Sequence, residues 1–67
     1  MRLIDEFNDG RTNEPDLAKR ILFMVFNDLI QRVGFNSFWH SLGVDIQNEI
    51  LEKNLRTIKE ELNRAGA

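Results

Sequence analysis

The one histidine of the chain, His40, has the side chain most often used in acid–base catalysis and metal binding. Ser37 and Ser41 flank it within a helical turn. A catalytic histidine needs a nucleophile and an orienting group, and a metal-binding histidine needs further ligands at short spacing. Ser37 is better explained as a helix cap, and no Glu-x-x-His pair is present. We interpret His40 as a partly exposed structural residue, with a contact role beside Trp39 as the alternative.

An acidic segment near the N-terminus partly matches a calcium-binding loop. Four residues stand at the first, fifth, sixth and twelfth positions of such a loop: Asp5, Asp9, Gly10 and Asp16. Phe7, however, occupies a position that must supply an oxygen ligand. We interpret the segment as an acidic surface turn and predict no metal site.

Other catalytic patterns are missing from the sequence. The chain has no cysteine, no glycine-rich loop before a helix and no nucleophile elbow, and its paired carboxylates, such as Glu60-Glu61, are typical of a surface. We therefore predict no catalytic residue and no cofactor, and expect that the protein is not an enzyme. The formal net charge of −2 and the lack of a basic cluster disfavour nucleic acid as a partner.

The elements that carry these residues are predicted to be helices. The periodicity of apolar residues indicates helices over about 14–33, 36–42 and 46–65, which form a helical domain over 13–67. Asn13 is the expected N-cap of the first of these helices, and Gly34 is its expected end.

Residues 1–12 have two interpretations. Leu3, Ile4 and Phe7 fit one apolar helical turn that closes at Gly10. The same residues fit an extended acidic arm that becomes ordered on contact. The sequence leaves these alternatives open.

The helix over 14–33 has apolar residues around most of its circumference. A broad apolar arc is extended by Phe23, and a second strip is formed by Leu17, Ile21 and Met24. Such a helix must be covered from more than one side. The helix over 36–42 has an aromatic face, and the helix over 46–65 has a single apolar seam.

These elements predict an all-α fold, an antiparallel helical hairpin with a short aromatic helix at the bend. The apolar surface that one partner helix leaves bare predicts a homodimer with a four-helix core. The alternative cover is the segment 1–12, folded back onto the same surface.

The candidate interface comprises six residues: Phe23, Asn27, Ile30, Gln31, Trp39 and His40. Phe23 lies at the polar margin of its helix, which predicts an oligomer contact or an anchor for a partner. Phe23→Glu is accordingly expected to disrupt association. Asn27 and Gln31, one turn apart, form either a solvated stripe or a polar pair that fixes the register of a dimer.

The function predicted from these features is a small, non-enzymatic protein–protein interaction module that acts as an adaptor, regulator or inhibitor. Two alternatives are a nucleic-acid-binding helical dimer and a small-ligand-binding helical dimer with an aromatic pocket near Trp39. No segment approaches the roughly 20 apolar residues of a membrane span. We expect the protein in the cytoplasm, or in a host cell's cytoplasm if a phage encodes it.

Overall fold

A computed structural model describes residues 2–10 and 15–66 of the chain. These residues form four helices and no strand: α1 (Leu3–Asn8), α2 (Leu17–Ile30), α3 (Val33–Ser41) and α4 (Val44–Gly66). The predicted all-helical fold is confirmed over this part of the chain. α2 packs against both α3 and α4, and α1 packs against α4.

The N-terminal segment forms a helix, α1, so the helical interpretation of this segment is the correct one. Its first turn is stabilised from α4, because Asn48 Oδ1 accepts a hydrogen bond from the Ile4 backbone N–H at 3.0 Å. This bond satisfies one of the backbone donors that a helix start leaves without an intrahelical partner. α1 is followed by Gly10, whose φ of +69° is a conformation that glycine adopts without a steric penalty. Leu3 and Ile4 are buried and belong to the core.

The start of α2 differs from the prediction. The N-cap is Asp16, whose Oδ1 accepts hydrogen bonds from the backbone N–H groups of Ala18 at 2.9 Å and Lys19 at 3.3 Å. Pro15 therefore precedes the cap and is not part of the first turn. Asn13, the predicted cap, lies outside the described residues.

The boundary between α2 and α3 also differs, and the predicted helix over 14–33 is too long at this end. α2 ends at Ile30, where the side chain of Asn36 donates a hydrogen bond of 2.9 Å to the backbone carbonyl. Because a residue of the next helix satisfies this carbonyl, no glycine is needed after α2. Gly34 instead lies in the first turn of α3, so its prediction as a helix stop was wrong.

α4 begins two residues before the predicted position, at Val44. Its first turn is closed by a 3.0 Å hydrogen bond from the Gln47 N–H to the Gly43 carbonyl, and Asp45 lies inside the helix. The side chain of Gln47 donates to the Trp39 carbonyl at 2.8 Å, which ties the end of α3 to the start of α4.

The core lies where the four helices meet. Its buried members are mostly large apolar side chains: Leu3, Ile4, Ala18, Leu22, Phe23, Phe26, Trp39 and Leu51. Ile4, Leu22 and Leu51 are completely buried, and they come from α1, α2 and α4. The N-terminal helix is therefore an integral part of the core.

Candidate interaction surface

An apolar strip on α2 faces solvent. We call it the outer strip and define it as Leu17, Ile21, Met24 and Val25. Leu17 is 48% exposed, Met24 72% and Val25 50%, while Ile21 is half-buried. At about 100° of rotation per residue, these four side chains share one side of the helix. That side is roughly opposite the buried residues Phe23 and Phe26, so the described part of the chain covers α2 from one side only.

Two charged residues accompany the outer strip, one helical turn to either side of Met24. Asp28 lies on the midline of the strip and forms an exposed ion pair of 3.2 Å with Arg32. Arg20 lies on one flank, is exposed, and forms no ion pair with any described residue. Met24, at the middle of the strip, thus has the cationic Arg20 one turn before it and the anionic Asp28 one turn after it.

Two of the six predicted interface residues are buried in the chain's own core. Phe23 is 8% exposed, and its ring centroid lies 5.6 Å from that of Phe7. Trp39 is 2% exposed. The assignment of Phe23 to an exposed margin is therefore corrected, because α1 supplies a neighbour that the helical wheel of α2 alone does not show. Phe23→Glu would place a carboxylate in the core, so it tests folding rather than association.

The other four predicted interface residues do not form a continuous apolar surface. Ile30 is half-buried and packs against the core cluster. Asn27 and Gln31 are exposed on the same flank of α2 as Arg20, and His40 is exposed on α3. Whether these residues contact a partner remains a prediction. The outer strip is the more apolar of the exposed surfaces of α2.

The environment of Trp39 is filled by other rings. Its centroid lies 5.7 Å from that of Phe26, 6.2 Å from the stacked ring of Phe35 and 6.3 Å from Phe7, which meets it edge-on. Such offset and edge-on geometries are the favoured ones for aromatic pairs. Within one chain, these contacts occupy the space that an aromatic ligand pocket at Trp39 would need.

Exposed apolar side chains also occur outside α2. Val33 is 87% exposed and Phe38 55% exposed on α3, while Val44 and Ile46 are exposed near the start of α4. The exposure of Val33 was not predicted, because the sequence placed this residue at the end of the preceding helix. Single exposed apolar residues are common on protein surfaces and carry no functional argument alone.

The charges on the described surface are largely neutralised in pairs. At least five of the eight basic residues in the ranges 2–10 and 15–66 form ion pairs with acids. One of them joins Lys59 of α4 to Asp16 at the start of α2, at 3.9 Å. In another, the hydrogen bond from Arg2 to Asp45 raises the pKa of the exposed guanidinium. Outward-facing α4 side chains alternate in sign and form shallow depressions.

The described part of the chain contains neither a metal-binding cluster nor a helix that could span a membrane. No group of three or more His, Cys, Asp or Glu residues described by the structure is placed to hold a metal ion. Asp5 and Asp16, two of the calcium-loop residues, instead serve the starts of α1 and α2, respectively. None of the four helices has the length and apolar character needed to cross a membrane.

Comparison of the chain with known protein families, curated proteins and solved structures gives no match.

Proposed function

We propose that this chain is a small helical interaction module that acts without catalysis, as an adaptor, regulator or inhibitor. We further propose that it works as a homodimer in which the outer strips of two α2 helices face each other. The observation that carries the proposal is the position of the outer strip, on the side of α2 roughly opposite the buried residues Phe23 and Phe26. A surface helix of an isolated domain normally keeps that side polar.

A second copy of the chain is the occupant that best fits the strip. The N-terminal helix, which is the alternative cover, packs at Phe23 on the other side of α2. The Asp16–Lys59 ion pair supports an antiparallel hairpin of α2 and α4, because it places the start of α2 beside the second half of α4. Two such hairpins, joined through their outer strips, would form a four-helix assembly with the two α2 helices in contact at its centre.

The size of the strip sets the strength of the expected dimer. α2 has 14 residues and is therefore about 21 Å long. A contact along one such helix buries less than the roughly 800 Å² per partner of a standard stable interface. Burial of a large apolar side chain nevertheless contributes about 1.5–3 kcal/mol. We expect a reversible dimer whose population rises with concentration.

The test is the solution mass of the protein, measured by light scattering over a concentration series. The wild type is expected to pass from one chain to two as the concentration rises. Met24→Glu places a charge at the centre of the outer strip and should keep the protein monomeric. Ile46→Glu is the matched control, because Ile46 is an apolar residue on α4 with 47% exposure and should leave the dimer intact. Circular dichroism then checks that each variant is folded.

Neither alternative function gains support from the described residues. Nucleic-acid binding requires a continuous basic surface, and here most basic side chains are paired with acids. Ligand binding at Trp39 requires space that Phe7, Phe26 and Phe35 fill. As the place of action we propose the cytoplasm, or that of a host cell if the gene is carried by a phage.

A further inference from the structure

Asp28 restricts how a second copy can sit on the outer strip. Its carboxylate lies on the midline, where a facing helix would remove water from it, and its neighbour Arg32 stands at 3.2 Å. An ionised group that loses water must keep or gain charged and hydrogen-bonding partners, since an unpaired buried charge is strongly destabilising. A register that also brings a cation of the second copy to Asp28 is therefore favoured over one that leaves Arg32 as its one charged partner.

Arg20 is placed to be that cation. It is exposed and has no ion-pair partner among the described residues. Arg20 lies four residues before Met24, and Asp28 lies four residues after it. Each is therefore about 6 Å from Met24 along the helix axis. The long side chain of Arg20 can cover apolar surface while its guanidinium reaches toward the midline. In a two-fold contact centred on Met24 and formed by antiparallel helices, Arg20 of each copy stands opposite Asp28 of the other.

Other arrangements of the same two surfaces are worse. A parallel pair places Arg20 opposite Arg20 and Asp28 opposite Asp28, and like charges in such positions repel. An antiparallel pair shifted by one helical turn places Asp28 opposite either the apolar Met24 or the acidic Asp16. Of these arrangements, the centred antiparallel register is the one that gives Asp28 a cation from the second copy.

From this relationship we infer that two copies of the chain associate through antiparallel α2 helices around a two-fold axis at Met24. Two reciprocal ion pairs between Arg20 and Asp28 fix the register. The inference rests on the proposed function and adds the orientation, the register and the residues that give the contact its specificity. The polar pair Asn27 and Gln31 is not needed to set the register.

Charge reversal tests this inference. Arg20→Asp leaves two acids and Asp28→Arg two bases at the facing positions, so each variant alone repels its own copy. We expect each to raise the dimer Kd at least about tenfold, in line with the coupling measured for close charge pairs across interfaces. The double variant restores opposite charges and should return close to the wild-type Kd. An equimolar mixture of the two single variants should form a heterodimer more tightly than either variant forms a homodimer.

The controls show whether a change in Kd comes from the Arg20–Asp28 pairs, from a change in net charge or from loss of folding. Arg56→Asp and Glu60→Arg reverse charges on the exposed side of α4 and should leave the Kd unchanged. Arg32→Gln removes the existing partner of Asp28 and reports how much of the Asp28→Arg effect comes from that loss. Circular dichroism of every variant checks that α2 remains helical.

The possible outcomes distinguish failure of the antiparallel register from failure of the proposed homodimer. If Met24→Glu abolishes the dimer while both single charge reversals associate as the wild type does, the antiparallel register is wrong and the proposed homodimer stands. Parallel packing gives that same result, because like charges already face each other in the wild type. If the wild type stays monomeric at every concentration, the proposed homodimer fails and the register fails with it.

Discussion

The ring of Phe7 lies with its centroid 5.6 Å from that of Phe23 and 6.3 Å from that of Trp39. Through this one side chain, the six-residue helix α1 contacts both α2 and α3. The contact explains why the N-terminal segment is ordered as a helix, because six residues do not hold a helix in water without tertiary packing. Because Phe23 is buried by this contact, the exposed apolar side of α2 is the outer strip.

Removal of the Phe7 ring should destabilise the fold strongly. Phe7→Ala removes two aromatic contacts and opens a cavity beside Phe23 and Trp39, so we expect a loss of about 3 kcal/mol in the free energy of unfolding. Phe38→Ala is the matched control, because Phe38 is 55% exposed and should cost less than about 1 kcal/mol. Urea unfolding followed by circular dichroism measures both. A loss below about 1 kcal/mol for Phe7→Ala would contradict a stabilising role of α1 in the core.

Asn48 should matter for the start of α1. Asn48→Ala removes the acceptor of the Ile4 N–H, and we expect a loss of about 1 kcal/mol, as for other helix-capping side chains. Asn54→Ala is the control on the same helix, since Asn54 is exposed and its side chain donates only to the Ile50 carbonyl within α4. Hydrogen exchange at the Ile4 amide gives a local readout. Exchange that is equally slow in Asn48→Ala and the wild type would contradict this role.

Two glycines should respond in opposite directions to the same substitution. Gly10→Ala forces alanine into a φ of +69° and is expected to cost about 1–2 kcal/mol. Gly34 lies in the first turn of α3 with open space where a Cβ would stand. Gly34→Ala should therefore stabilise the protein, by about 0.5–1 kcal/mol. Thermal melting measures both, and a lower melting temperature for Gly34→Ala would argue against helix at this position.

The ion pair between Glu6 and Lys19 should contribute more than an exposed pair. The two side chains are 13% and 24% exposed, and their charged atoms are 3.0 Å apart. We expect Glu6→Gln to lower the free energy of unfolding by about 1–3 kcal/mol, as for hydrogen bonds to charged groups. Glu61→Gln breaks an exposed pair with Arg64 and should change it by less than about 1 kcal/mol. If added salt abolishes the difference between the two variants, the burial of the first pair has no energetic effect.

The sequence predicts well which segments are helical, because apolar periodicity is a local property. Its errors lie at helix ends, where tertiary partners decide. Glycine is a common residue just after a helix, so Gly34 was predicted to end the first long helix. Instead, Asn36 satisfies the Ile30 carbonyl, and the next helix begins before Gly34. In the same way, Asp16 caps α2 immediately before its first residue, whereas the pattern of favourable capping residues begins earlier, at Asn13.

The candidate site was only partly predictable for a similar reason. Leu17, Ile21 and Met24 form a second apolar strip in any helical projection of the sequence, and the structure leaves two of these three exposed. Phe23, in contrast, depends on Phe7, which lies 16 residues earlier in the chain and packs on it across space. Patterns within one helix do not contain such a contact.

Trp39 is placed to act as an intrinsic fluorescence probe of the fold. It is the one tryptophan of the chain, and it is reached by Phe7 of α1, Phe26 of α2 and Gln47 of α4. Indole emission moves to longer wavelength when water gains access to the ring. A single natural fluorophore therefore stands where all four helices meet, and a shift in its emission signals the loosening of any one of them without an attached label.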